Sequence, residues 1–315
     1  MKKIFLLLLT FFLFGANSAL YAREFSLDAE LKAAYRFYKI EDYKKAIKTI
    51  QEIEQKGIKD ASVALLKYET LMCLEKYPEA KQALLEAVQY DPDCYEAYVA
   101  LMILSVKDNN PSDAKKYFFK VMEINPEISE SSDILYYYAK ICILNNNFDE
   151  ALKNILNAIE IKPDENLYYL ELGKIYLYKN DYLKSVNALE YAIGQDENIN
   201  SECYNYLGLA NYKRRNFENA LNYFKKAYEL NPKSLIYLNN LALVHKSMNN
   251  KEEYEKLVSK ITSLDPKTPE EFLELSQLLY DRKNYAGAKK VLETGLETYP
   301  DNLLLKSAFD KLNNL

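Results

Sequence analysis

No stretch of this chain shows sustained strand-like alternation; its apolar positions instead fall into short helices separated by polar turns. Residues 204 to 232, YNYLGLANYKRRNFENALNYFKKAYELNP, place Leu207-Gly208 in one predicted helix, Ala220 and Phe224 in the next, Ala227 one turn on, and Pro232 at the exit. Residues 169 to 192 repeat the arrangement with Tyr169, Leu172-Gly173, Tyr176, Leu189 and Ala192. The turns within pairs read EDY, NNPSD, NNNFD, KNDY, RRNF, NNKEE and KNY. Their Asn and Asp bond local backbone or tolerate left-handed conformations, and so stop one helix and start another. Seven glycines and abundant Leu, Ala, Lys, Glu and Tyr agree with an all-α chain.

The pairs keep a fixed beat. Pro92 and Pro126 are 34 residues apart, Pro163 follows 37 later, Pro232 comes 69 after that, and Pro266 and Pro300 continue at 34. Ala46, Ala80, Ala114, Ala151, Ser185, Ala220, Tyr254 and Ala288 keep the same beat. One supersecondary unit is therefore copied along the chain, with repeats near 27–60, 61–94, 95–131, 132–165, 166–200, 201–234, 235–268 and 269–302. A last helix, 303–313, with Leu305, Phe309 and Leu312 on one side, caps the final repeat. In six of the copies a small first-helix residue (Ala34, Ala139, Gly173, Gly208, Ala242, Ser276), and in most the second-helix alanine, let the two helices approach closely. Tyr68, Met102, Tyr254 and Glu197 depart from the pattern, and pairing is least determined in their copies.

The order aromatic, Leu-Gly, Tyr, then Ala, Phe and Pro strongly resembles the tetratricopeptide repeat. The resemblance covers nearly all of the chain after residue 22. It implies a right-handed superhelical α-α solenoid of about eight repeats, whose concave wall of first-helix positions holds a partner's peptide. Those positions here are Tyr35, Tyr38, Glu69, Met72, Val99, Ile103, Tyr136, Lys140, Leu170, Lys174, Tyr178, Asn205, Leu209, Tyr212, Asn239, Leu243, Lys246, Leu273, Gln277 and Tyr280. Tyrosine offers contact area and a hydroxyl, and Asn205, Asn239 and Asn240 are expected to bond a peptide backbone. The Lys and Asn set by which chaperone-binding relatives clamp a terminal carboxylate is not reproduced.

Residues 1–22 are of another kind. Lys2 and Lys3 precede an apolar run from Ile4 to Phe14, then small and polar residues lead to Ala22. That layout is a secretory signal peptide, with cleavage expected after Ala22 and Ser18 as the alternative. The chain is thus expected in the periplasm, cell envelope or outside the cell, with no membrane insertion after cleavage; an uncleaved anchor is the alternative. The four cysteines, Cys73, Cys94, Cys142 and Cys203, are read as unpaired, because helical pairing sets their α-carbons too far apart for a bridge. No element is evident ahead of residue 27 to cover the first repeat, which leaves that face to residues 23 to 26, a partner or a second copy; homodimerisation is one expectation.

Charge and chemistry narrow the function. Without the leader, 39 basic residues face 46 acidic ones, a net charge of about −7 that does not suit nucleic acid or anionic lipid. His245 sits where the repeat places an aromatic and is read as a packed imidazole. HExxH, GxSxG, a P-loop and GxGxxG are absent, and neither cofactor nor metal is expected. The reading is an exported, non-enzymatic scaffold that binds a protein or peptide segment in its concave groove, with a role in envelope assembly or secretion implied only by the leader and the resemblance. The alternatives are a regulatory subunit of an envelope enzyme, or an enzyme whose carboxylates gather across repeats.

Overall fold

The computed structural model of the protein describes residues 29–194 and 201–313, so the leader and Glu197 lie outside the described residues. Among them are seventeen α-helices and one 3-10 turn, with no strand. The chain divides into two compact units between Pro163 and Asp164. Unit 1 holds α1 (Ala29–Lys39), α2 (Tyr43–Gln55), α3 (Ala61–Cys73), α4 (Tyr77–Tyr90), α5 (Tyr95–Lys107), α6 (Pro111–Ile124), the 3-10 turn Pro126–Glu130, α7 (Ser132–Leu144) and α8 (Phe148–Ile161). Unit 2 holds α9 (Asn166–Tyr178), α10 (Tyr182–Gly194), α11 (Ser201–Lys213), α12 (Phe217–Leu230), α13 (Leu235–Ser247), α14 (Lys251–Thr262), α15 (Pro269–Asp281), α16 (Tyr285–Thr298) and α17 (Leu303–Asn313). The 37-residue interval is explained by the 3-10 turn, which takes up the extra residues after Pro126.

One turn joins the helices of every pair. Its left-handed residue is Glu41, Glu75, Asn109, Asn146, Asn180, Arg215, Asn249 or Lys283, all with φ between 55° and 62°. The next residue donates its N–H to the carbonyl five positions back, as from Asp42 to Phe37 at 2.9 Å and from Asn216 to Asn211 at 2.9 Å. This closes the first helix on otherwise unsatisfied carbonyls. The same residue then caps the second helix: Asp42, Asn110, Asn147, Asp181, Asn216 and Asn284 each accept from the backbone N–H three residues on. Lys76 has no capping side chain, and Pro78 enters the helix there instead. Asparagine at four left-handed sites was expected; glutamate, arginine and lysine at the others carry a steric cost that glycine would avoid.

The pairs cross at their small residues. Ala34, Ala46, Ala80, Ala114, Ala139, Ala151, Ala220 and Ala288 have no exposed surface. A Cβ on Gly173 would lie 2.4 Å from Leu189, and one on Gly208 would lie 2.5 Å from Phe224. Where serine occupies either side of the crossing, its hydroxyl donates to the backbone opposite: Ser185 to the Gly173 carbonyl at 2.7 Å, Ser276 to that of Ala288 at 3.1 Å. Tyr68 and Met102 are fully buried in one core cluster, and α4, the partner of Tyr68's helix, offers it Ala80, Ala83 and Ala87. The Tyr68 hydroxyl is left without a hydrogen-bond partner. Tyr254 is half-buried, and α14 buries only Val258 and Ile261.

Helix α5 is the centre of unit 1: Ala97, Ala100, Leu101, Met102 and Leu104 are buried, and even Glu96 and Ser105 are enclosed. Cys94, Cys142 and Cys203 are buried free thiols, and Cys73 is half-buried and free. His245 is half-buried in the last turn of α13, less enclosed than a packed core imidazole, with Nδ1 3.4 Å from Nδ2 of Asn250. Burial lowers its pKa.

The crossing and the turn each give a stability test by urea unfolding. Gly208→Ala drives a methyl into the Phe224 ring and is expected to destabilise by about 1–3 kcal/mol. Gly194→Ala meets nothing within 4 Å and is expected to stabilise by about 0.5 kcal/mol. Arg215→Gly relieves a left-handed side chain at φ 61° and is expected to gain about 1 kcal/mol. A loss on Arg215→Gly would show that its side chain contributes more than its backbone costs.

Candidate protein-binding site

Each unit presents its own row of first-helix side chains. In unit 1, Tyr38, Met72, Val99, Ile103 and Tyr136 are buried, which corrects the expectation that they are presented on an open wall. Tyr35, Glu69 and Lys140 are half-buried. Lys140 Nζ donates to the Tyr136 hydroxyl at 3.3 Å and lies 5.2 Å from that ring's centre. The rings of Tyr35 and Tyr38 stack with centroids 6.3 Å apart, and Tyr43 at the start of α2 stands 5.9 Å from Tyr38.

Glu69 meets this tyrosine group. It accepts a hydrogen bond from the Tyr38 hydroxyl, and burial pushes its carboxyl up to about 7, against the Lys39 charge and that bond, which hold it down. Tyr43 is hydrogen-bonded to Cys73, whose thiol burial raises. Glu69 and Cys73 are four residues apart on α3, so one helical face carries both. Sequence reading picked out Tyr35, Tyr38 and Glu69 but missed Tyr43, which belongs to a second helix, and Lys39.

In unit 2 the first helices are tied by polar contacts between repeats. Asn240 Nδ2 donates to Asn205 Oδ1 at 2.7 Å, both side chains buried. Asn239 donates to Glu274, whose carboxyl burial raises against that bond. The Tyr212 and Ser247 hydroxyls lie 2.9 Å apart, and those of Ser201 and Tyr237 3.2 Å apart. Lys174 Nζ reaches Glu171 at 3.1 Å and Glu202 at 3.0 Å beneath the Tyr206 ring. Burial works against its charge, but Glu171, Tyr206 and Glu202 outweigh it and its pKa is well raised. Asn205, Asn239, Asn240 and Lys174 are therefore engaged in holding repeats together, and Asn205, Asn239 and Asn240, expected to bond a peptide backbone, make side-chain hydrogen bonds to the neighbouring repeat instead. Spacing of 35 residues, one repeat on, relates three of these pairs and is the sequence signal that could have found them.

Other side chains stay outward. Tyr178 is 43% exposed, Lys246 and Gln277 are exposed, and Tyr212, Leu209, Leu243, Leu273 and Tyr280 are half-buried. Gln277 donates to Asp281 at 2.8 Å, and Lys246 lies 5.8 Å from the Tyr254 ring centre. Among the described residues no group of three or more His, Cys, Asp or Glu could hold a metal ion, and no helix is long and apolar enough to cross a membrane.

The folded chain keeps the Glu69 proton up to about pH 7, whereas the unfolded chain releases it near its ordinary value of 4.5. The folded state thus binds more protons across that interval, and stability falls as pH rises through it. Glu69→Gln is expected to melt at the parent temperature near pH 4 and above it at about pH 8. Thermal melts followed by circular dichroism check this; a variant less stable at the higher pH would show that the ionised carboxylate is held favourably.

The tetratricopeptide repeat family model matches residues 201–234, the repeat made of α11 and α12. Protein O-mannosyl-transferase TMTC3 of Homo sapiens is 24% identical over 229 residues, which cover 71% of this chain and 25% of that protein. Tetratricopeptide repeat protein 12 of Homo sapiens is 29% identical over 118 residues, 36% of this chain and 17% of that one. The chain thus spans a quarter or less of the length of these curated relatives. Among solved structures, that of PilW, a widely conserved type IV pilus biogenesis factor, is similar with a TM-score of 0.57 at 16% identity, covering 70% of this chain and 98% of PilW. The family model thus marks α11 and α12 as one tetratricopeptide repeat, and the likeness to PilW is one of helical fold.

Proposed function

We propose that this chain is an exported, non-enzymatic scaffold whose first-helix faces bind a segment of another protein, in cell-envelope assembly or secretion. The observation that carries the reading is what remains outward once the repeats have tied themselves together. In unit 2, Tyr178, Lys246 and Gln277 stay exposed on first helices, with Tyr212 and Tyr280 half-exposed; in unit 1, Tyr35 is half-exposed. Tyrosines with a few adaptable polar groups suit protein recognition, because a rigid ring loses little entropy on binding while its hydroxyl adds direction. Chemistry of its own is not what the site supports. Among the described residues, the carboxylates raised by burial, Glu69 in unit 1 and Glu274 in unit 2, bond Tyr38 and Asn239 rather than the second carboxylate that hydrolysis draws on.

Export rests on the leader: Lys2 and Lys3, the run Ile4 to Phe14, and the small-residue exit at Ala22. The net charge of about −7 after its removal leaves a polypeptide, and neither nucleic acid nor an anionic membrane, as the partner.

Placing a photoreactive phenylalanine at Tyr178 or Gln277, with Lys225 on second helix α12 as control, tests the face directly. In the native envelope both first-helix sites are expected to trap the same protein and Lys225 none. Equal trapping at all three, or none at the first two, would overturn the reading.

A further inference from the structure

Two neighbouring turns of unit 2 make a basic edge. Lys213 ends α11, and Arg214 and Arg215 follow it in the turn to α12; Lys246 stands one residue before the end of α13, and Lys251 begins α14. All five side chains are exposed. The Tyr212 and Ser247 hydroxyls, 2.9 Å apart, place the ends of α11 and α13 side by side and so bring the two turns together.

None of the five cations has a carboxylate partner among the described residues. Basic residues near other turns do: Lys45 meets Asp42 at 2.8 Å, Lys184 meets Asp181 at 3.0 Å, and Arg282 meets Glu255 at 3.1 Å. The turn from α11 to α12 lacks such an acid because its capping residue is Asn216, where α2 and α10 are capped by Asp42 and Asp181. Beside the second turn, Glu252 and Glu253 are both taken by Lys256, at 3.0 and 2.8 Å. Glu218 lies in the first turn of α12, where the helix dipole favours a negative charge.

Backbone preference does not account for Arg215 either. At φ 61° glycine or asparagine is favoured, and the arginine side chain forms no hydrogen bond or ion pair among the described residues to offset the cost. Strain held in this way is a mark of sites under functional demand. Adjacent cations repel one another, and an incoming carboxylate relieves that repulsion; the planar fork of arginine grips it through paired N–H groups. On a chain whose net charge is about −7, this edge draws in an acidic segment that the rest of the molecule repels.

We propose that the basic edge of unit 2 holds an acidic stretch of the partner segment, with Arg214 and Arg215 gripping its carboxylates and Lys213, Lys246 and Lys251 flanking them. The proposal deepens the protein-binding reading and rests on it.

A random twelve-residue peptide library tests this when selected on the full chain, on Arg214→Glu/Arg215→Glu, and on Lys115→Glu/Lys116→Glu, which changes the charge equally at exposed positions of unit 1. Glutamate already occupies the same left-handed position at Glu41 and Glu75, so the turn variant is expected to keep the parent's circular dichroism spectrum. The parent and the unit 1 variant are expected to enrich peptides rich in Asp and Glu, and the turn variant to lose that preference. An enriched peptide, labelled with fluorescein and followed by anisotropy, is expected to bind the turn variant about tenfold or more weakly than the parent. Added salt is expected to weaken it on the parent far more than on the turn variant. Arg215→Gly is expected to melt higher and yet bind the same peptide more weakly, which separates recognition from folding. Acid-free peptides enriched on the parent, equal weakening by the unit 1 and turn variants, or full affinity kept by both Arg215 variants overturns the basic edge and leaves the protein-binding reading standing. Labelled oligothymidine that binds more tightly than the peptide, and is lost on the turn variant, overturns an acidic polypeptide as the occupant. A library that enriches nothing overturns both readings.

Discussion

Everything in this fold depends on two helices crossing closely enough for their backbones to meet at small side chains twelve residues apart, as at Gly173 and Ser185 or Ala34 and Ala46. At such a crossing one added methyl has nowhere to go, because the neighbour is a Leu189 or Phe224 side chain already fixed by the core. The serines show how close the approach is: Ser185 and Ser276 reach the opposite backbone carbonyl from opposite sides of the same junction. Tyr68 shows what happens when the small residue is lost, since it stays buried by facing alanines and leaves its hydroxyl unbonded.

The crossing is held in register by the turn. A left-handed residue followed by a capping Asp or Asn closes one helix and opens the next within two positions, so the pair has little freedom in its relative angle. Repetition then brings equivalent positions of neighbouring first helices together, and polar groups one repeat apart satisfy each other, as Asn205 and Asn240 do. Such pairing fixes repeats side by side, while Tyr178 and Gln277 of other first helices keep exposed surface.

Function in such a chain is a remainder. Burial raises Glu69 against the Lys39 charge and its bond from Tyr38, whereas Lys174 keeps its charge inside because Glu171, Tyr206 and Glu202 outweigh its burial. Carboxylates on equivalent first helices thus meet opposite surroundings, Glu171 paired with a lysine and Glu69 raised by burial.

The sequence by itself determined the helical class, the repeat length, the small residues of the crossings and most of the turn caps. These are local or periodic demands that a single residue type meets wherever it recurs, so Ala220, Phe224 and Asn216 announce their roles without any partner in view. Only the tertiary structure decided which first-helix residues face outward. Asn205 and Tyr178 look equally available along the chain, and what separates them is burial: Asn205 is enclosed and bonded to Asn240 one repeat on, whereas Tyr178 is 43% exposed. That depends on how helices stack in three dimensions, and so do the enclosure of Glu69 by Tyr38 and the acceptance of Tyr68 by the alanines of α4.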